Sequence, residues 1–173
     1  MGCISSNPSP TTIPSNSNIP NFTLVAQQVK QTWPDVKKID RLGAKIFAYL
    51  LYKYPELRTS YHIPEAYKTQ ADLLNANEIK QASDNFISLY SDIIENSDTR
   101  FNEIIREKAV ELYGRGIRTF QVKYYGESLV HVINYELRDE LNIEEKQAWQ
   151  LFTKHVSDCL LLEIAKFPRK SIV

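Results

Sequence analysis

Six residues at the start of the chain, MGCISS, carry its clearest chemistry. Once Met1 is removed, Gly2 becomes an amino terminus. The pattern M-G-x-x-x-[ST], completed by Ser6, is an acceptor for N-myristoylation. Cys3 beside it can take a second chain, palmitate. One myristoyl chain gives marginal, reversible membrane binding, whereas two signals give a stable anchor. The first lysine is Lys30, so no polybasic run reinforces the attachment and the second signal falls to Cys3. These residues predict a chain that is lipid-anchored on the cytosolic face of a membrane. On that face the sequon Asn21-Phe22-Thr23 is silent.

Other groups able to ligate or attack are few. The chain has three histidines, His62, His131 and His155, and one further cysteine, Cys159. His62 reads as a surface-loop residue. His131 shares a helix face with Tyr124, Ser128 and Tyr135 and reads as solvated or half-buried. His155 neighbours Phe152 and Val156 and reads as a satisfied helix residue. No metal-spaced Cys/His cluster, glycine-rich phosphate loop or nucleophile–base pair is visible, so neither a metal site nor an enzyme is expected.

Composition narrows the class further. The 173 residues are 43% hydrophobic and 24% charged, values ordinary for one globular domain with a tail. Lys+Arg and Asp+Glu balance at 21 each, so the chain lacks the basic field that nucleic acid requires. No apolar run is long enough to span a bilayer, and no apolar segment follows a basic N-terminus. Residues 1–21 hold Pro8, Pro10, Pro14 and Pro20 among Ser, Thr and Asn, which predicts an acylated, disordered linker. A coil of about 18 residues reaches roughly 20–25 Å. Residues 22–173 form the expected domain.

The period of that domain is helical. Leu24, Val25, Val29, Trp33 and Val36 recur at three- and four-residue steps, with Pro34 expected to kink or bend the helix. Asp40 is a candidate cap for a second helix carrying Leu42, Ile46, Leu50 and Tyr54. Pro55 opens a short turn or helix, and YHIPEAYKTQADLLNAN follows without clear pattern. Ile79, Phe86, Tyr90, Ile93 and Ile94 mark a further helix, and Phe101, Ile104, Ile105 and Leu112 another, which stops at Gly114-Arg115-Gly116. Two long amphipathic helices, Phe120 to Leu137 and Asn142 to Phe167, complete an all-α chain of about seven helices.

Several of these stretches together resemble the globin family. VKQTWPDV is similar to the first globin helix with its tryptophan. GAKIFAYLLYKYPEL is similar to the second helix running into the proline of the short third one. YYGESLVHVINYEL followed by EEKQAWQLF resembles the last two helices, especially those of neuroglobin-like members. The resemblance spans about residues 24–167. It implies a globin fold in a three-over-three arrangement, and a haem pocket with a proximal histidine, a distal histidine or glutamine, and a packing phenylalanine.

Carried over residue by residue, the resemblance puts Tyr61 at the packing position, six residues after Pro55. It puts Ala82 at the distal position, with Gln81 the neighbouring choice. Leu112 takes the proximal position, four before Gly116-Ile117. Leucine has no lone pair for iron, and Tyr113 is turned about 100° away on the helix. No histidine lies between residues 63 and 130. Leu112 and Phe86 are then expected to fill the space between the helices, with Tyr61 and Tyr90 helping to close it. The resemblance so read implies a membrane-tethered, haem-free or haem-poor domain acting as a sensor or interaction module. An unidentified protein partner and a small apolar ligand are its implied company. The alternative is a divergent haem-binding globin for oxygen binding or redox signalling, ligated by His62 or Tyr113. Haem-less globin-like domains in bacterial stress signalling, and acylated globins in animals, support these readings by analogy only.

Overall fold

Apolar residues at three- and four-residue steps become helices throughout the domain. The structure is a computed structural model that describes residues 22–168. Its α-helices are α1 (Phe22–Val36), α2 (Leu42–Lys53), α3 (Gln70–Leu74), α4 (Lys80–Glu95), α5 (Phe101–Gly114), α6 (Thr119–Glu136) and α7 (Ile143–Ile164). Two 3-10 turns, Pro55–Tyr61 and Asn77–Ile79, lie between them, and no strand occurs among the described residues. The fold is all-α and globin-like. Helix α7 packs against α6, α1 and α5, while α2 packs against α6, α4 and α3.

Two glycines allow these helices to close. A Cβ on Gly126 would lie 2.9 Å from Ser157 Oγ and 3.1 Å from the Thr153 carbonyl oxygen, so α6 and α7 meet backbone to side chain there. A Cβ on Gly43 would lie 3.0 Å from both Cβ and the carbonyl oxygen of Ser83, where α2 meets α4. The ends of the helices follow local chemistry. Asn142 accepts from the Glu145 N–H at 2.9 Å while the Glu145 carboxylate accepts from the Asn142 N–H at 2.8 Å, a capping box for α7. Gly116, at φ 85°, ends α5. Its N–H donates to the Tyr113 carbonyl, and the Ile117 N–H donates to the Leu112 carbonyl at 2.9 Å. That pair of bonds is a Schellman motif, and it sets the register of Leu112 against Ile117.

At three places the structure adds to the local expectations, and at the cap of α2 it corrects them. Helix α1 runs through Pro34 and ends two residues later at Val36, so the chain turns just after the proline. Asp40 does not cap α2. Arg41 holds that position in the left-handed region, at φ 54° and with no side-chain cap. Its guanidinium instead reaches the Leu74 carbonyl and, at 3.2 Å, Asn75 Oδ1. The stretch without pattern contains α3, started by Thr69. The Asp72 N–H donates to Thr69 Oγ1 at 3.1 Å and Asp72 Oδ2 accepts from the Thr69 N–H at 2.8 Å.

The core holds two groups of aromatic rings. In the first, Phe22 lies 5.0 Å from Phe101, 5.9 Å from Phe152 and 4.6 Å from His155, centroid to centroid. In the second, Phe47 meets Tyr61 edge-on at 5.3 Å and Phe86 edge-on at 5.8 Å, and Phe86 meets Tyr125 edge-on at 5.4 Å. Edge-to-face contact at these distances is the arrangement that ring quadrupoles favour.

Candidate functional site

The second aromatic group borders a cavity of about 280 Å³. Each wall comes from a different element: Phe47 from α2, Tyr61 from the 3-10 turn after Pro55, Ala82 and Phe86 from α4, Leu112 from α5 and Tyr125 from α6. Tyr61, Ala82, Gln81, Phe86 and Leu112 are thus all brought to one place. Leu112 and Phe86 are buried in its wall, yet they do not fill the space between the helices. Tyr90 is buried behind Phe86, 4.7 Å from it, and is no part of the lining.

A hydroxyl pair is the polar feature inside these apolar walls. Tyr61 Oη and Tyr125 Oη lie 2.6 Å apart. Tyr125 is buried and Tyr61 half-buried, and each hydroxyl supplies the other's partner. Burial pushes the Tyr61 hydroxyl above its usual range, an effect partly offset by its bond to Tyr125. Burial pushes Tyr125 well above it too, and the neighbouring Tyr61 adds to the effect. Both are therefore neutral phenols at physiological pH.

The mouth is polar. Gln81 Nε2 donates to Asn85 Oδ1 at 3.1 Å, and Arg115 is paired with Glu111. Glu111 also receives Lys108 at 3.1 Å, which in turn pairs with Asp92. His62 stands at the rim, exposed, with a left-handed backbone at φ 53°.

Other chemistry-bearing residues sit elsewhere. Tyr113 stacks on Phe167 at 4.7 Å and donates to the Pro168 carbonyl at 2.5 Å, away from the cavity lining. His131 stacks on Tyr49 at 3.7 Å; burial of its ring, then the nearby Lys53 charge, hold it below its usual pKa. His155 lies deeper than a residue bordering the apolar stripe. It is buried against Phe22 and Phe101, and burial lowers its pKa. Its Nε2 is 3.7 Å from Cys159 Sγ. Burial pushes the Cys159 thiol up to about 11, which leaves it an unreactive thiol rather than a nucleophile. Gly2 and Cys3 lie outside the described residues. Among those residues no helix is long and apolar enough to cross a membrane, and no group of three or more His, Cys, Asp and Glu is placed to hold a metal ion.

Among the cavity residues that escaped the reading of the sequence are the two aromatic ones, Phe47 and Tyr125. The signal for Tyr125 was available: it stands three residues after Val122 and four before Leu129, on the apolar stripe of α6. Its role as partner of Tyr61 has no sequence signal, since the two are 64 residues apart.

No protein-family model matches this chain, and no curated protein matches it.

Proposed function

We propose that the chain is a membrane-tethered, haem-free globin-like domain that acts as a sensor or interaction module rather than an enzyme. The observation that carries this reading is the lining of the cavity. Where the globin resemblance calls for an axial nitrogen, the wall presents the aliphatic side chain of Leu112, held in register by the Schellman bond from Ile117. A haem fits these residues poorly. Iron takes an imidazole, thiolate, thioether or phenolate ligand, and Tyr61 and Tyr125 are neutral phenols bonded to each other. The cavity, about 280 Å³, is at the lower edge of the range for small-ligand sites, roughly 300–1,000 Å³. Tethering rests on MGCISS, with myristate on Gly2 and palmitate on Cys3 as its two signals.

One observation favours a second reading, a divergent haem protein at the membrane: His62 lines the cavity mouth. Titration of the purified chain with hemin separates the two. The expected result is the spectrum of free hemin in the oxidised, reduced and carbon monoxide states. A Soret band saturating at one haem per chain, and lost in His62→Ala, would replace the first reading with the second. Tethering is tested by expressing the chain in a cell that myristoylates proteins. Gly2→Ala should move it from the membrane fraction to the soluble one, and Cys3→Ser should do so in part. A wild-type chain found only in the soluble fraction rules the anchor out.

A further inference from the structure

The hydroxyl pair in the cavity does not balance internally. Two tyrosine hydroxyls carry two protons between them, and each oxygen can donate one and accept. The Tyr61–Tyr125 contact at 2.6 Å uses one of those protons, whichever residue donates. It is the only hydrogen bond that either hydroxyl makes among the described residues. One O–H donor therefore remains, on a pair whose rings both line the cavity. An unpaired donor in such surroundings is costly, and an acceptor brought to it is correspondingly favoured.

The rest of the lining decides what kind of acceptor. Phe47, Phe86, Leu89, Leu112 and Ile117 make the walls apolar. The charged groups of the lining are Glu78, Glu111 and Arg115, two carboxylates and one guanidinium, and that guanidinium is already paired with Glu111. Among the described residues no lysine and no unpaired arginine lines the cavity to receive an anionic head, and His62 stands at its exposed rim. Both tyrosines stay protonated because burial raises them, so the pair offers a donor and not a negative charge to a cationic head.

We infer that the cavity is a binding site for a small, uncharged, largely apolar molecule carrying one hydrogen-bond acceptor, such as a ketone, ester or alcohol, which accepts the spare proton of the Tyr61–Tyr125 pair. This inference rests on the sensor reading above and gives it a ligand class. It also makes a distinctive statement about the two tyrosines. Either one alone keeps a donor, because removing one hydroxyl removes one proton and also the internal bond. Only loss of both removes the donor.

Three probes of nearly equal shape test this on the full chain: acetophenone, which has a neutral acceptor, ethylbenzene, which has none, and benzoate, which is anionic. Affinities are read by calorimetry or by shifts in the amide NMR spectrum, for wild type, Tyr61→Phe, Tyr125→Phe and the double variant, each checked for helix content. The quantity of interest is the ratio of the acetophenone to the ethylbenzene affinity. It should hold in each single variant and fall in the double variant by about 2–10-fold, the range one net hydrogen bond supplies. Benzoate should bind more weakly than acetophenone throughout. A ratio unchanged in the double variant, with both neutral probes still bound, overturns the acceptor and leaves an apolar sensor cavity. Benzoate binding more tightly than acetophenone overturns the uncharged class. No binding of any probe overturns the site, while the haem-free reading is still decided separately by the hemin spectrum.

Discussion

Around Phe22 the rings of Phe101, Phe152 and His155 close on one another, and on the same two helices, α1 and α7, Trp33 and Trp149 lie 5.9 Å from each other; around Tyr61 the rings of Phe47, Phe86 and Tyr125 leave a cavity of about 280 Å³. Both groups are aromatic and both include a polar handle. The first forms where α1, α5 and α7 lie against one another. Trp149 Nε1 donates to Thr32 Oγ1 at 3.0 Å and His155 meets Cys159, whereas the buried Trp33 Nε1 has no partner among the described residues. The second forms where a 3-10 turn, the start of α4 and the end of α5 meet α2 and α6. Its rings stand edge-on, and the Tyr61–Tyr125 bond ties the 3-10 turn to α6. The first ring group closes on itself at the density usual for interiors, while the second ends at a hydrogen-bonded pair beside open space.

Four measurements test whether the two ring groups differ in this way. The largest effect is expected on the closed side. Phe152→Ala should destabilise the domain by about 3–5 kcal/mol, the usual loss for a buried phenylalanine, as read by urea denaturation. Leu112→Ala should lie at or below the low end of the leucine range, about 2 kcal/mol, because one side of Leu112 already faces a void. Equal losses would mean that the two regions are packed alike.

Filling gives the next contrast. Leu112→Phe should change stability by less than about 1 kcal/mol, since the cavity can take the added atoms. Cys159→Phe, in a closed region, should cost about 1–3 kcal/mol. A large loss in the first variant would show that the cavity cannot accept volume from α5.

The third test is pH. Burial holds His155 below its ordinary 6.5, so the folded chain resists protonating it more than the unfolded chain does. Its contribution is complete above about pH 6.5 and is lost as the pH falls towards the lowered folded value. Denaturation curves should therefore show stability rising from about pH 5 to 7, with a flatter rise in His155→Phe. A slope unchanged in that variant, but removed in His131→Gln, would move the effect from the closed core to the Tyr49 stack, where His131 is also lowered.

The smallest effect is on the hydroxyl pair itself. Tyr61→Phe should cost about 0.5–1.5 kcal/mol, the net value of one hydrogen bond. A loss of several kcal/mol would mean that the pair holds up the whole region and not merely the shape of its cavity.

Much of the helical plan was legible in the chain. Trp149, Phe152, Val156, Leu160 and Ile164 step along one face of α7, and all five are buried. Gly116 stands where only a left-handed residue completes the Schellman turn, so glycine predicts the end of α5. Helix α3 was legible too, in the T-x-x-D run from Thr69 to Asp72, though its short apolar face hid it. What misled was chemistry with a choice of partners. Asp40 has the right type for a cap, but Arg41 reaches across to Leu74 and Asn75 and sets the turn instead. A cap depends on a neighbour two or three residues away, whereas that guanidinium depends on α3 being close in space.

Sequence alone establishes that the described domain is helical, where its longer helices run, and that residues 63–130 hold no histidine, because period and composition are local properties. It takes the packed helices to show that Tyr61 meets Tyr125 across 64 residues and that Leu112 walls a cavity instead of filling it. Volume left between helices depends on how closely several distant backbones approach, and no single stretch of sequence sets that distance.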